Sequence, residues 1–205
     1  MKISVEHLGK KFNREWIFKN LSYQFEIGIP TAITGGNGSG KSTFLQIVSG
    51  FLPSTEGTIK FVKNDQVIPD DKLFEQLDIC TPYLELIEEF TLLEFLRFHF
   101  KFKKLRTGMK IEDFMFKTYL EESKEKQIKN FSSGMKQRLK LGLAFFSESP
   151  ICLLDEPTSN LDVSGIDWYH EQVKTILDDK LLIVSSNQRQ EFSFCEDQLN
   201  IPDFK

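Results

Sequence analysis

Cysteine is scarce in this sequence, and its three residues lie far apart. Cys80, Cys152 and Cys195 form no CxxC pair. Their odd number and wide spacing favour neither a zinc site nor a disulfide framework. Reduced thiols in a cytosolic protein are the simplest interpretation.

Long apolar runs and a basic excess are missing as well. The N-terminal stretch MKISVEHLGKKF lacks the apolar core of a signal peptide. Runs such as Leu181 to Val184 are far shorter than the roughly 20 residues that span a bilayer. If the protein works at a membrane, another chain must supply the membrane-spanning part. The net charge of −4 argues against a general nucleic-acid binder.

The residues that are present suit one globular unit of the α/β class. Hydrophobic residues make up 40% of the 205 residues and charged residues 27%, which is ordinary for a globular protein. Apolar and polar positions alternate in the first thirty residues, as in half-buried strands. Continuous apolar runs at 151–154 and 181–184 are typical of strands buried on both faces of a parallel sheet, and a helix is predicted between them over about 165–177. This strand–helix–strand order predicts an α/β fold.

The middle of the chain has a different pattern. Between about Ile87 and Lys129, apolar residues recur at helical spacings, with a break at Thr107 and Gly108. We interpret this segment as a mostly helical insert, and a further helix is predicted after Gly134. Shorter predicted elements are strands at 31–34, 57–62 and 66–68 and a helix at 42–50.

Glycine is concentrated in one short segment, which satisfies the GxxxxGK[ST] pattern between a predicted strand and a predicted helix. This setting favours a phosphate-binding loop over an ordinary glycine-rich turn. Glycines bring several backbone N–H groups onto phosphate oxygens, and the following helix presents its partly positive N-terminus. The Lys41 ammonium can bridge the β- and γ-phosphates of ATP, and the Ser42 hydroxyl can ligate Mg²⁺. The predicted loop consists of Gly35, Gly36, Asn37, Gly38, Ser39, Gly40, Lys41, Ser42 and Thr43.

Two acidic residues, Asp155 and Glu156, follow the apolar run at 151–154. Parallel strands deliver ligand-binding groups at their carboxyl ends, and the phosphate loop also follows a strand, so both elements can meet at one crevice. We expect Asp155 to hold Mg²⁺ and Glu156 to polarise the attacking water as a general base. The alternative, an acidic turn at a strand end, is weakened by the presence of the phosphate loop.

Two segments carry a resemblance to a known family. Residues 151–162, ICLLDEPTSNLD, closely resemble the Walker B and D-loop segment of ABC ATPases, and residues 131–138, FSSGMKQR, resemble their signature motif, usually written LSGGQ. The resemblance implies a P-loop NTPase of the ABC ATPase type, with a mostly parallel core sheet, an N-terminal antiparallel β part and an inserted helical subdomain. The implied single domain, 1–205, has a core lobe at about 1–86 and 148–205 and a helical subdomain, which carries the signature motif, at about 87–147.

The resemblance also implies an assembly. In this family two ATP-binding subunits dimerise head to tail, and each ATP lies between the phosphate loop of one subunit and the signature segment of the other. Ser132 and Gly134 would open a helix whose N–H groups face the γ-phosphate bound by the partner subunit. Taken without the other motifs, this segment reads as an ordinary Ser-capped helix start.

An aromatic residue ahead of the phosphate loop commonly stacks on adenine in these enzymes. Phe12 occupies the matching place, and Trp16 is close enough to be a rival. Packing of either ring within the N-terminal sheet is an equally good interpretation, so both remain open.

Two departures from the family pattern concern the surroundings of the γ-phosphate. The family normally carries a glutamine that senses Mg²⁺ and the γ-phosphate, but near Pro82 and Tyr83 there is none, and Glu85 is the nearest polar side chain. In the signature segment, Ser133 puts a Cβ where close approach of the backbone to phosphate is wanted.

A third departure is the absence of the histidine expected after the last buried strand. Asn187 stands in that place. Its amide can donate a hydrogen bond to a γ-phosphate oxygen but cannot become cationic or carry a proton. With Glu156, Lys41 and Asn187 as the catalytic residues, we expect ATP binding to survive and hydrolysis to be slow.

The resemblance implies an ATPase subunit that drives a separate multi-span membrane subunit from the cytoplasmic, inner face of a membrane. The helical insert and the segment near Tyr83 would form a groove for a short helix of that partner. The ATPase dimer can be of identical or different chains, and no nucleic-acid partner is expected. The alternative is a nucleotide-gated scaffold or regulator that binds ATP with little or no turnover.

Overall fold

Nine strands and six helices make up the framework in a computed structural model that describes all residues, Met1–Lys205. The strands are β1 (Lys2–Phe12), β2 (Glu15–Glu26), β3 (Thr31–Thr34), β4 (Glu56–Lys63), β5 (Gln66–Val67), β6 (Leu77–Cys80), β7 (Ile151–Asp155), β8 (Leu181–Ser185) and β9 (Asp197–Asn200). The helices are α1 (Lys41–Val48), α2 (Leu73–Gln76), α3 (Leu92–His99), α4 (Ile111–Lys117), α5 (Ser133–Phe146) and α6 (Val163–Lys174). Short 3₁₀ turns connect several of these elements.

The strands form two sheets. The first is antiparallel, with the strand order β2–β1–β4–β5. The second is parallel throughout, with the order β6–β7–β8–β3–β9. The predicted architecture, an N-terminal antiparallel part and a parallel core sheet with helices, is therefore confirmed. Because the strands of the second sheet are parallel, the segments that follow β3, β7 and β8 all begin at the carboxyl ends of the strands, on the same side of the sheet.

Strand β7 shows why the parallel strands are apolar on both faces. Ile151 and Leu153 pack on the side of α1 and the antiparallel sheet, whereas Cys152 and Leu154 pack on the side of α5 and α6. All four residues are 0% exposed. The alternation follows from the two-residue period of a strand. The sheet thus separates two hydrophobic clusters, and neither face contacts water.

Helix α5 belongs to both parts of the molecule. It lies wholly within the predicted helical subdomain, about 87–147, and it packs on β6 and β7 of the core sheet. The 26-residue cluster on this side of the sheet includes residues of α3 and α4 as well as of the sheet. The insert therefore shares one continuous core with the parallel sheet.

The insert is less helical than the sequence pattern suggested. It contains α3, of eight residues, α4, of seven, and two 3₁₀ turns, with loops between them. Gly108, at the predicted break, has a φ of 82°, in the left-handed region that a helix does not use. Apolar residues of the loops, such as Phe90 and Leu105, pack against the core and carry the periodic pattern without being helical.

Two strands of the parallel sheet were not predicted. Both β6 and β9 have four residues and lie at the two edges of the sheet. In addition, none of the helices combines the length and the apolar character that crossing a bilayer requires.

Candidate functional site

The predicted phosphate loop connects the end of β3 to the start of α1. Three of its glycines adopt positive φ, 140° at Gly35, 74° at Gly38 and 108° at Gly40. A Cβ at Gly35 would lie 2.6 Å from the Ser39 Oγ, and one at Gly40 would lie 2.4 Å from the Ile17 Cγ2. Neither position accepts a side chain without displacing its neighbours. The sequence therefore needs glycine here for both conformation and space.

Within the loop, Lys41 turns back onto the backbone. Its Nζ donates to the Gly35 carbonyl at 2.9 Å and to the Gly36 carbonyl at 3.2 Å, and the residue is buried. No side chain caps the N-terminus of α1, so the first N–H groups of this helix are free to bind an anion. The Ser39 Oγ is buried and has no hydrogen-bond partner. These polar groups suit a phosphate ligand.

The acidic pair lies at the carboxyl end of β7, next to the end of β8. The Asp155 carboxylate is buried and accepts a hydrogen bond from the Ser185 hydroxyl at 2.7 Å. The Glu156 N–H donates to the Ser185 carbonyl at 2.9 Å. Glu156 has a φ of 45°, which is uncommon for a residue other than glycine. This sharp turn directs the chain away from the sheet at the residue predicted to be the general base.

A cavity of about 380 Å³ joins the phosphate loop to Glu156. Six residues of the predicted loop line it, namely Asn37, Gly38, Gly40, Lys41, Ser42 and Thr43. Asp155, Gly35, Gly36 and Ser39 stay behind this surface. The structure thus brings the loop and Glu156 to one cavity. In donor chemistry, the Ser42 hydroxyl and the Asp155 carboxylate are oxygen ligands of the kind that Mg²⁺ prefers.

Asn187 reaches the phosphate loop from the segment after β8. Its Nδ2 donates to the Asn37 Oδ1 at 2.8 Å, although the two residues are 150 positions apart. Both side chains are exposed. The amide therefore lies at the margin of the loop, where a phosphate group could replace Asn37 as its acceptor.

The predicted signature residues lie around a separate cavity of about 320 Å³. Ser132 begins α5, and its Oγ accepts a hydrogen bond from the Met135 N–H at 3.2 Å. A Cβ at Gly134 would lie 3.2 Å from the Asn160 carbonyl oxygen, so the backbone of the D-loop segment packs closely there. The two cavities share no lining residue. In one chain, the signature segment and the phosphate loop do not form a common site.

The aromatic residues proposed for adenine lie outside the cavity. The Phe12 ring is 45% exposed, with the Lys10 ammonium 4.9 Å from its centroid. The Trp16 ring has the ammonium groups of Lys11 and Lys19 within 5.2 and 4.9 Å. Both rings lie at the β1–β2 turn, and an adenine-stacking role for either one stays a prediction.

Two lining residues of the first cavity were not predicted for it. Ile17, in β2, packs against Gly40, and Tyr83 lies opposite the loop, 80% exposed. Tyr83 stands near the position at which the family resemblance places a glutamine. Ile17 has no motif around it, and no sequence signal could have identified it.

Tyr83 also lines a third cavity, a groove of about 710 Å³ beside the insert. Its rim is acidic, with Glu85, Glu88 and Glu89, while Lys136 and Lys140 approach from α5. Burial lowers the pKa of the Lys140 ammonium, which donates to the Pro82 carbonyl at 3.1 Å. Lys136 pairs with Glu88. The backbone just before Tyr83 is therefore held by α5, and the groove and the first cavity share Tyr83.

Comparisons with known proteins agree with these motifs. A family model described as ABC transporter matches residues 18–159, which include the phosphate loop and the acidic pair. YybJ of Bacillus subtilis (strain 168), described as an uncharacterized ABC transporter ATP-binding protein, is 31% identical over 199 residues, covering 95% of this chain and 89% of that protein. YxlF, with the same description and from the same organism, is 34% identical over 167 residues, covering 80% of this chain and 55% of YxlF.

Solved structures share the fold along almost the whole chain. MJ0796, described as a bacterial ABC transporter cassette in a dimeric structure, superposes with a TM-score of 0.81 at 25% identity, covering 97% of this chain and 94% of that chain. A post-hydrolysis state of the same cassette, dimeric and bound to ADP and Pi, gives a TM-score of 0.82 at 24% identity, covering 97% of this chain and 93% of that chain.

Proposed function

The chain belongs to the ABC transporter family, and we propose that it is the subunit that binds and hydrolyses ATP to drive a separate membrane subunit. The single observation that carries this proposal is the cavity in which the phosphate loop faces Glu156. Loop, ammonium and carboxylate are the groups that a nucleotide triphosphatase needs at one place.

ATP would bind with its phosphates against the loop. Lys41 now donates to two loop carbonyls and would exchange these bonds for the β- and γ-phosphate oxygens, which are stronger acceptors because they are charged. The free N–H groups at the start of α1 would add to this binding. The unpartnered Ser39 hydroxyl is available to stabilise the occupied loop.

Ser42 and Asp155 would hold Mg²⁺, which, when bound, neutralises part of the charge on the phosphate groups. Asp155 is oriented by the Ser185 hydroxyl, so its carboxylate is fixed before any ligand arrives. Glu156 lines the cavity and would accept a proton from the attacking water.

We propose that turnover is slow because Asn187 can donate a hydrogen bond to the γ-phosphate but cannot carry charge. Its contact with Asn37 supports a position close to the phosphates. Tyr83 also lines the cavity. Its phenol would replace the side-chain amide that the family's glutamine supplies.

A second copy of an ATPase subunit would complete each site. Ser132 and Gly134 line their own cavity, away from the loop of the same chain, so a γ-phosphate can contact both segments only across a dimer. The dimeric MJ0796 cassette, 25% identical to this chain, supports this arrangement. The partner subunit can have the same sequence or a related one.

The membrane subunit would bind in the acidic groove beside the insert. Tyr83 lines both this groove and the cavity at the phosphate loop. A displacement of Tyr83 when the nucleotide changes would therefore move part of the groove wall. Glu85, Glu88 and Glu89 on the rim would favour a basic segment of the partner. This association would hold the protein at the cytoplasmic face of a membrane.

Phosphate release and ATP binding test the proposed function. We expect purified protein to release phosphate from Mg-ATP, Glu156→Gln to bind ATP without releasing it, and Lys41→Ala to lose binding because the loop has no other mobile cation. Calorimetry measures binding, and a coupled phosphate assay measures release. Unchanged ATP affinity in Lys41→Ala would contradict the phosphate-loop assignment, and release by Glu156→Gln equal to that of the native protein would contradict the role of Glu156.

A further inference from the structure

One buried carboxylate near the site has no role in the proposed function so far. Glu191, in the 3₁₀ turn Arg189–Phe192, is 0% exposed. One carboxylate oxygen, Oε1, accepts hydrogen bonds from the Thr158 N–H at 2.9 Å and from the Thr158 hydroxyl at 2.5 Å. The other, Oε2, accepts one from the Ser186 hydroxyl. No lysine or arginine pairs with it. A carboxylate buried without a cation is costly, so these contacts must hold it.

The contacts of Glu191 reach two segments of the site. Thr158 lies two residues after Glu156, in the turn that leads to the D-loop. Ser186 precedes Asn187 directly, and its Oγ also accepts a hydrogen bond from the Gln188 N–H at 2.8 Å. Both neighbours of Asn187 are therefore fixed by one hydroxyl, and that hydroxyl is fixed by Glu191.

Glu191 is itself held from the other side. The Tyr169 hydroxyl, on α6, donates to the Glu191 carbonyl at 2.7 Å, and the Tyr169 ring is fully buried. The Glu191 N–H donates to the Gln188 carbonyl at 2.9 Å. The backbone of Glu191 is thus fixed by two hydrogen bonds. The Asn187 amide, one residue after Ser186, contacts the phosphate loop.

We propose that Glu191 is a positioning residue, which holds the turn bearing Asn187 in register with the turn after Glu156 during ATP hydrolysis. The inference rests on the proposed function and extends it to a residue that contacts no ligand. Small displacements of a catalytic group reduce rates strongly while leaving substrate binding nearly intact. Loss of this positioning should accordingly lower kcat and leave the KM for ATP almost unchanged.

Glu191→Gln tests this with little change of shape. The Thr158 N–H can only donate, so the new side chain must keep its carbonyl oxygen toward Thr158 and turn its NH₂ toward Ser186. The Ser186 hydroxyl can then only accept from this NH₂, so its hydrogen bond to a carboxylate is replaced by a weaker neutral one, while the Thr158 contacts remain. The substitution acts on the Asn187 side alone. Ser186→Ala removes the contact with Glu191 and, in addition, the acceptor of the Gln188 N–H.

Steady-state phosphate release at varied Mg-ATP compares native protein, both single variants and the double variant. We expect each single variant to lower kcat about 5- to 20-fold with KM within about 2-fold, as for a small misplacement. The double variant should be within about 2-fold of Ser186→Ala, because Ser186→Ala already removes the contact that Glu191→Gln weakens. Glu171→Gln, which neutralises an exposed glutamate on α6, should match the native protein.

Several outcomes would overturn the inference. Unchanged kcat in Glu191→Gln, a rise in KM instead of a fall in kcat, or additive losses in the double variant each contradict positioning. A lower Tm with native kcat would assign Glu191 a purely structural role. If Glu191→Gln does not fold, Ser186→Ala alone decides between these outcomes. Absence of phosphate release in the native protein above the Glu156→Gln blank is a different result, because it contradicts the proposed function itself.

Discussion

Asn187 presents a side-chain amide at the place where the family resemblance predicts a histidine. The contact between its Nδ2 and the Asn37 Oδ1 shows that the side chain is long enough to reach the phosphate loop. An imidazole at this position would extend further and could carry a proton. Asparagine and histidine at this position would therefore differ more in their ability to carry a proton than in the length of their side chains.

We predict that Asn187→His raises steady-state turnover by roughly 3- to 30-fold, less than the 10²–10³ that removing such a donor typically costs, because the surroundings are not shaped for a histidine. ATP affinity should change little. The measurement is phosphate release per subunit at saturating Mg-ATP, with Glu156→Gln as the blank. A variant no faster than the native protein would mean that Asn187 does not face the γ-phosphate or that another missing group limits the rate.

Single residues of the site differ in how far the sequence alone reveals them. Lys41, Ser42 and Glu156 stand in motifs whose spacing reflects direct chemical needs, so they could be named before the structure. Ile17 enters the cavity only because β2 passes beside Gly40, which depends on sheet packing. Glu191 has motif neighbours, but its burial and its contacts depend on three segments that meet only in the fold.

Helix α5 connects more segments than any motif on it suggests. The Gln137 Nε2 donates to the Pro157 carbonyl at 2.7 Å, and Lys140 donates to the Pro82 carbonyl. At its end, the buried Lys180 donates to the carbonyls of Ala144 at 2.8 Å and Ser147 at 2.9 Å. Lys180 therefore satisfies carbonyl groups that the helix itself leaves unpaired.

We expect Lys180→Met to destabilise the protein by about 2–4 kcal/mol, because it leaves buried carbonyl groups without a donor. The apolar stem is similar in size, so loss of packing is a minor part of the effect. Chemical denaturation followed by circular dichroism measures the free energy of unfolding. Lys174→Met, at an exposed position of α6, is the matched control, and equal stability of the two variants would contradict the capping role.

Element prediction succeeded where a strand is buried on both faces and failed at the sheet edges. The apolar runs that became β7 and β8 have no polar residue before their last position. Strand β6 contains Asp78, which accepts a hydrogen bond from Ser147 and pairs with Lys103 at 3.3 Å. Strand β9 is mostly polar. Pairing with a neighbour makes these residues strands, and the local pattern does not contain that information.

At the scale of the whole molecule, one chain contains two half-sites. The cavity at the phosphate loop and the cavity at the start of α5 have no residue in common. A ligand that contacts both must lie between two chains. A complete site therefore requires two chains.

We predict that Glu156→Gln forms a dimer when Mg-ATP is added, because it binds ATP but cannot remove the γ-phosphate that joins the two chains. Size-exclusion chromatography should show a shift to twice the mass. The double variant Lys41→Ala/Glu156→Gln should remain monomeric. If Glu156→Gln stays monomeric at saturating ATP, the dimer requires a different partner chain or the altered signature segment binds too weakly.

The three thiols offer a way to observe motion within this fold. Cys80, Cys152 and Cys195 are all buried, and burial raises the pKa of each to about 12. The thiolate is the nucleophile that attacks a thiol-specific reagent, so at neutral pH a buried thiol reacts only after its segment opens. Cys80 lies under α5, Cys152 in the middle of the parallel sheet and Cys195 beside its edge. The rate at which the reagent labels each of the three thiols therefore reports how often the region around that thiol opens to solvent.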